Sequence, residues 1–231
     1  MTEDGRLREE LSRQGFSVLP GFLPEPVLDE MIASLERLRA IDHAGATDPE
    51  QGLYNVHRVA QRDPAMEELL CRGPLGRLAV ELQGETRLYL NQFVVKPPRC
   101  RDYVPWHRDF EGTEFGPHLS YTLWLAIDDA RYENGCLIVI PGSHRQDGGR
   151  PVPVEVARGS LVVLCSALLH CSAANTSDTP RRAFQGEFAQ ADAESIAPQR
   201  VPNPQLVGDL RIRRESLSSS LSLQQPAIEH A

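Results

Sequence analysis

Paired cysteines are missing from this 231-residue chain: Cys71, Cys100, Cys136, Cys165 and Cys171 are odd in number and include no C-x-x-C. That predicts reduced thiols rather than a disulfide framework or a thiolate zinc site. No apolar run approaches the roughly 18 residues that span a bilayer. The opening MTEDGRLREELSRQG is charged from its start and lacks the apolar core of a secretory signal, so a cytoplasmic protein with no membrane partner is expected. A net positive charge is lacking as well. The net charge of -8 argues against a nucleic-acid partner, because phosphate binding needs clustered cations. An anionic ligand would therefore depend on local positive charge. No internal repeat is visible and no H-E-x-x-H helix is present, which removes the commonest zinc-hydrolase signature.

A length of 231 residues suits one large domain that needs no staples. In 24–40, Leu28, Met31, Ile32, Leu35 and Leu38 recur at helical spacing, with prolines at the start where a helix accepts them. The polar stretch Asp42 to Asn55 reads as a loop. Helical pattern returns over 64–83, with a break expected at Gly73-Pro74. From Thr86 the period changes. Short apolar runs at 86–96, 119–127, 136–140, 152–157, 160–165, 168–173 and 182–189 alternate with Gly, Pro and Asn-Gly turn signals. Helices first and strands afterwards predict a mainly β fold, a sandwich or barrel with an N-terminal helical layer.

Within the β-rich half, His107 and Asp109 flank Arg108, and His170 lies in a later strand-like run. Two imidazoles and one carboxylate are the protein ligands of an Fe(II) facial triad, which leaves other positions open. If 107–109 is extended, i and i+2 share a face, so both ligands converge while Arg108 points away. Alone, an H-x-D is more often a structural hydrogen-bonded pair. The combination with His170, Ser172 and Arg181 shifts the reading to a metal. Arg181, eleven residues after His170, can hold the far carboxylate of a 2-oxo acid as a fork, and alternation would send Arg182 to the opposite face. Ser172 shares the face of His170 and can add a hydroxyl. Trp124 is either core or a wall of the co-substrate pocket, and Gln92 either an edge residue or a pocket-lining amide. Cys171 should turn away from the metal. His118, His144, His43, His57 and His230 fit less well.

The stretches VVKPP (94–98), WHRDFEG (106–112), LWLAIDDARYENGCLIVIPGSHR (123–145) and HCSAANTSDTPRRAF (170–184), with the opening GFSVLPGFLPEPVLDEM (15–31), resemble the phytanoyl-CoA dioxygenase family. The likeness covers nearly all of residues 5–190. It implies a double-stranded β-helix (jelly-roll, cupin-like) fold over residues 1–194, with helices to about 85 and a β core over 86–190. The serine-rich remainder, 195–231, reads either as a flexible tail or as a segment that docks on the barrel. The resemblance further implies Fe(II) held by His107, Asp109 and His170, 2-oxoglutarate held by Arg181 and Ser172 with Trp124 alongside, and O2 as oxidant. Succinate and CO2 would be released.

Family halogenases carry a small residue at the position of Asp109, so a carboxylate there implies hydroxylation or a related oxidation (desaturation, ring closure, demethylation). No basic cluster suited to a CoA diphosphate is present and the chain does not end in a peroxisomal tripeptide, which favours a free or carrier-tethered small-molecule substrate over a CoA thioester. Two other classes fit the same barrel: a jelly-roll protein that binds metal or ligand without redox turnover, and an isomerase or hydrolase using another divalent metal. Substrate identity and oligomeric state are not readable; specificity would lie in loops 42–57, 99–105 and 110–118 and in the tail.

Overall fold

The computed structural model describes residues 3–42, 52–112, 116, 120–193 and 207–217. Its first element, α1 (Glu3–Gln14), was hidden by its charge; Leu7 and Leu11, one turn apart, are its buried stripe. Gly15 ends it at φ 84°, the left-handed conformation that favours glycine, and leads into β1 (Phe16–Leu19). The expected helix over 24–40 is α2 (Glu25–Asp42), with Leu28, Met31, Leu35 and Leu38 buried. Ile32 is only half-buried. Ser34 takes an inward place instead, because its hydroxyl donates to Asp63 at 2.7 Å.

Asn55 falls in a strand, not in the expected loop. β2 (Tyr54–His57) pairs with β3, and its polarity comes from facing a cavity rather than a core. After α3 (Val59–Arg62), the 64–83 region divides as Gly73-Pro74 predicts. Helix α4 (Pro64–Glu67) runs into a π-helical turn at Glu68–Arg72, and α5 (Pro74–Gln83) restarts at the proline.

The strands that follow are β3 (Thr86–Lys96), β4 (Val104–His107), β5 (Ser120–Ala126), β6 (Leu137–Val139), β7 (Val152–Val154), β8 (Leu161–Cys165), β9 (His170–Ser172), β10 (Arg181–Gln190) and β11 (Val207–Ile212). β7 is shorter than its apolar run, since beyond Val154 only an isolated Ala130–Val156 bridge forms. β11 lies in the segment after 194 and docks on β3, over Thr86 to Leu90, while β2 covers β3 further along.

All pairings are antiparallel. A large sheet runs β1-β8-β5-β10-β3-β11 with β2 also on β3, and a small one runs β4-β9-β6-β7. Alternation gives the large sheet two different faces. Leu123, Leu125, Leu161, Val163, Phe184 and Phe188 join the cluster that buries α1, α2, α4 and α5. Trp124, Ala126, Val162, Leu164 and Ala183 turn the other way and pack with Leu137, Val139 and Val154 of the small sheet. Two facing antiparallel sheets with the helices behind one of them are a jelly roll.

Phe184, fully buried and edge-on to Phe93 at 5.9 Å, sits at the centre of the helix–sheet layer. Phe184→Ala is expected to cost about 3–5 kcal/mol. Urea unfolding measures it, and a loss under about 1 kcal/mol would contradict this packing.

Candidate active site

His107 and His170 are cross-strand partners in the β4–β9 ladder, which brings their rings to 4.2 Å between centroids. Asp109 arrives by a route that alternation did not foresee. β4 ends at His107, and Asp109 is the first residue of a 3-10 turn over Asp109–Gly112. Arg108 points away, as expected, and anchors that turn. Its guanidinium donates to Ser143 O at 2.7 Å and to Ala167 O, and pairs with Asp147. Asp109 Oδ1 then lies 3.4 Å from His107 Nε2 and 3.5 Å from His170 Nε2.

The histidine tautomers are fixed by what their other nitrogens meet. His107 Nδ1 is 2.8 Å from Pro105 O and His170 Nδ1 is 3.0 Å from Leu168 O. A carbonyl only accepts, so each Nδ1 carries the proton and each Nε2 turns a lone pair to the centre. Burial alone would raise the Asp109 carboxyl, but His170, His107 and the hydroxyl of Thr122 outweigh it and hold it below the usual carboxylate range. Burial lowers His170, which keeps that imidazole in its neutral, ligating form. The three ligand atoms lie within 4.8 Å of one another, and among the described residues no other such cluster occurs. Two imidazole nitrogens and a carboxylate on one side of a cavity fit an iron(II) ion with open positions.

A narrow cavity of about 50 Å³ is lined by His107, His170, Trp124, Leu137, Leu164 and Arg181. Arg181 opens β10 and is 1% exposed, and its Nε and Nη1 have no hydrogen-bond partner. Burial lowers its pKa to about 10. An unpaired buried guanidinium is costly, and a carboxylate entering the cavity would satisfy it. Trp124 packs in the inter-sheet core, lines the narrow cavity, and has its ring centroid 5.6 Å from the Arg181 guanidinium carbon. Arg182 faces outward and pairs bidentately with Asp128 at 2.7 and 2.8 Å. Ser172 lines the narrow cavity, and its hydroxyl accepts from Lys96 Nζ at 2.8 Å. The cavity therefore holds a cation and a hydroxyl beside the two metal-ligand imidazoles.

On the open side of the triad lies a larger pocket of about 540 Å³. Gln92 lines this one rather than the cavity of Arg181. It is not on an edge, since β3 is flanked by β10 and β2. Its Nε2 donates to Gln185 Oε1 at 3.3 Å. Glu187, a buried carboxyl beside the triad, was missed. Tyr89 and Gln185 donate to it at 2.7 and 2.9 Å, while burial and then the charge of Asp109 push it up to about 8. Alternation along 181–187 could have revealed it, because Arg181, Gln185 and Glu187 share a face. A separate cavity of about 640 Å³ beneath α1, with Arg8 and Tyr121 in its wall, contains no triad residue.

His57 and His144 do not join the triad. His144 Nε2 meets Ser12 O at 3.2 Å, and His57 sits in β2. His43, His118 and His230 fall outside the described residues. Cys171, expected to turn away from the metal, is buried but borders the narrow cavity, and like the other four cysteines it is a free thiol. No described helix is long and apolar enough to cross a membrane.

Comparison with known proteins bears on this geometry. Phytanoyl-CoA dioxygenase domain-containing protein 1 of Bos taurus is 31% identical, over 77% of this chain and 75% of that protein. Among solved structures, EctD from S. alaskensis, crystallised with 2-oxoglutarate and 5-hydroxyectoine, superposes with a TM-score of 0.73 at 19% identity, over 89% of this chain and 85% of that one. The epimerase SnoN, in complex with Fe3+, alpha ketoglutarate and nogalamycin RO, gives 0.72 at 22% identity, over 87% and 90%. At such identities these two establish the shared jelly roll. The phytanoyl-CoA dioxygenase (PhyH) family model matches residues 11–183, three quarters of the chain. The chain belongs to the phytanoyl-CoA dioxygenase family, and is a non-haem oxygenase that uses iron(II), 2-oxoglutarate and O2.

Proposed function

We propose that this oxygenase hydroxylates a small polar molecule, releasing succinate and CO2. The observation that carries the reading is Arg181: a buried cation whose Nε and Nη1 have no partner, lining the same cavity as His107 and His170. In this reading His107, Asp109 and His170 hold the iron, and Arg181 and Ser172 hold the far carboxylate of 2-oxoglutarate. When bound, iron(II) and 2-oxoglutarate supply an oxidation driven by O2. The chain's own contribution is orientation and exclusion. Pro105 O and Leu168 O aim the two imidazoles, and Thr122 fixes one oxygen of Asp109. Trp124, Leu137 and Leu164 keep water from the inner cavity, where charge interactions are stronger for it.

The substrate would occupy the outer pocket, whose wall offers Asn55, Tyr89, Gln92, Gln185 and Glu187 as polar contacts. A carboxylate at 109, where the family's halogenases have a small residue, supports hydroxylation or a related oxidation over halogenation. The test is a panel of small molecules screened for succinate release, with the stimulating compound then turned over under 18O2. One labelled oxygen in the product is expected. Coupled succinate with a product of unchanged composition, as epimerisation would give, or with two hydrogens lost, would overturn hydroxylation and leave the oxygenase class standing.

A further inference from the structure

Neither the triad nor the inner cavity uses Glu187. It is buried on β10 and, with Gln185 two residues before it, lines the outer pocket beside His107 and Asp109. Tyr89 donates to its Oε2 at 2.7 Å and Gln185 Nε2 to its Oε1 at 2.9 Å, so each oxygen has a second lone pair to offer. Both donors are neutral, and a buried carboxylate without a cation is costly. Gln92 extends the same wall from β3. Its Nε2 is spent on Gln185; the side chain is 8% exposed, and its Oε1 has no hydrogen-bond partner. The pocket thus presents acceptors that lack donors.

The charge of the wall points the same way. Of the described residues that line it, Arg108 is the one permanent cation, and its guanidinium is committed to Ser143 O, Ala167 O and Asp147. Glu111 adds a further carboxylate. A ligand carboxylate or phosphate would be repelled here, whereas an ammonium supplies both the charge and the donors that are missing. Resting on the reading of the outer pocket as the substrate site, we propose that the substrate is a small molecule with a protonated amine, and that Glu187 and Gln92 bind its nitrogen. Tyr89 and Gln185 hold the Glu187 carboxylate in place for it. A pocket of about 540 Å³ has room for a ring-sized amine that is anchored at Glu187 and extends toward the triad.

The alternative is a polar network that only ties β3 to β10. Benzylamine and benzyl alcohol separate the two, because they match in shape and only the amine is charged at pH 7. Their dissociation constants would be measured by anaerobic calorimetry on the protein loaded with iron(II) and 2-oxoglutarate. The wild type should bind benzylamine about tenfold or more tighter than the alcohol, the scale of one charge-assisted hydrogen bond. Glu187→Gln keeps the shape of the side chain and should remove that preference by weakening the amine alone. Equal affinities in the wild type, binding of neither probe, or a preference that survives Glu187→Gln would overturn the proposal. If Glu187→Gln does not fold, Gln92→Met takes its place: the preference should fall about threefold or more, and an unchanged one overturns the proposal. The screen for succinate release keeps this inference apart from the reading beneath it. Stimulation by neutral compounds alone would overturn the amine assignment and leave hydroxylation standing. An amine that is turned over without gaining labelled oxygen would do the reverse.

Discussion

His170→Ala is expected to abolish stoichiometric iron(II) binding and, with it, succinate formation. His170 is 5% exposed, and its Nε2 is one of only three ligand atoms around the ion-sized gap. Removal leaves Asp109 buried beside a single imidazole, an incomplete ligand set that no neighbour among the described residues completes. A lost outer hydrogen bond already costs a metal site roughly 10–100-fold, so loss of a ligand should exceed that. The fold should survive, since β9 is held by backbone pairing with β4 and β6 on either side. Iron content of the purified variant, with circular dichroism as the control for folding, checks the prediction. Full iron and full turnover would sink the triad.

Arg181→Met should weaken 2-oxoglutarate by about 3 kcal/mol, the worth of a bidentate charge-assisted pair, or roughly a hundredfold in Kd. The same variant should be no less stable than the wild type in urea unfolding. Replacing an unpaired buried cation with an apolar side chain of similar length removes a desolvation penalty. Function lost without stability lost is what distinguishes a ligand clamp from a structural arginine. Arg182→Ala supplies the opposite pattern: it breaks the ion pair with Asp128 on the outer face and should leave 2-oxoglutarate binding untouched. If Arg182→Ala loses the co-substrate and Arg181→Met does not, the assignment is wrong by one residue.

Strand alternation was the part of this molecule most legible in the sequence. It separated Arg181 from Arg182, and it placed Ser172 on the face of His170. Helical spacing located α2, and Gly73-Pro74 marked the restart at α5. What failed to show was whatever depends on partners far along the chain. Asn55 looked like loop because a strand facing a cavity carries no apolar alternation. β11 is readable only through its pairing with β3, more than a hundred residues earlier. Lys96 lay in a quoted motif, yet its place opposite Arg181 and its hydrogen bond to Ser172 depend on register, which spacing does not supply. Asp109 was singled out for a geometric reason that does not hold: the chain turns into a 3-10 helix at that point, and the turn rather than the pleat aims the carboxylate.

The central claim is that one cavity joins an iron site to a 2-oxoglutarate clamp. An anaerobic titration of the metal-free protein with iron(II) and 2-oxoglutarate tests it most directly, followed by visible absorption. The account predicts a charge-transfer band that appears only when both are present, weakens in Arg181→Met and persists in Arg182→Ala. Folded protein that binds iron(II) and 2-oxoglutarate yet shows no band would contradict it, because the two would then not share a site.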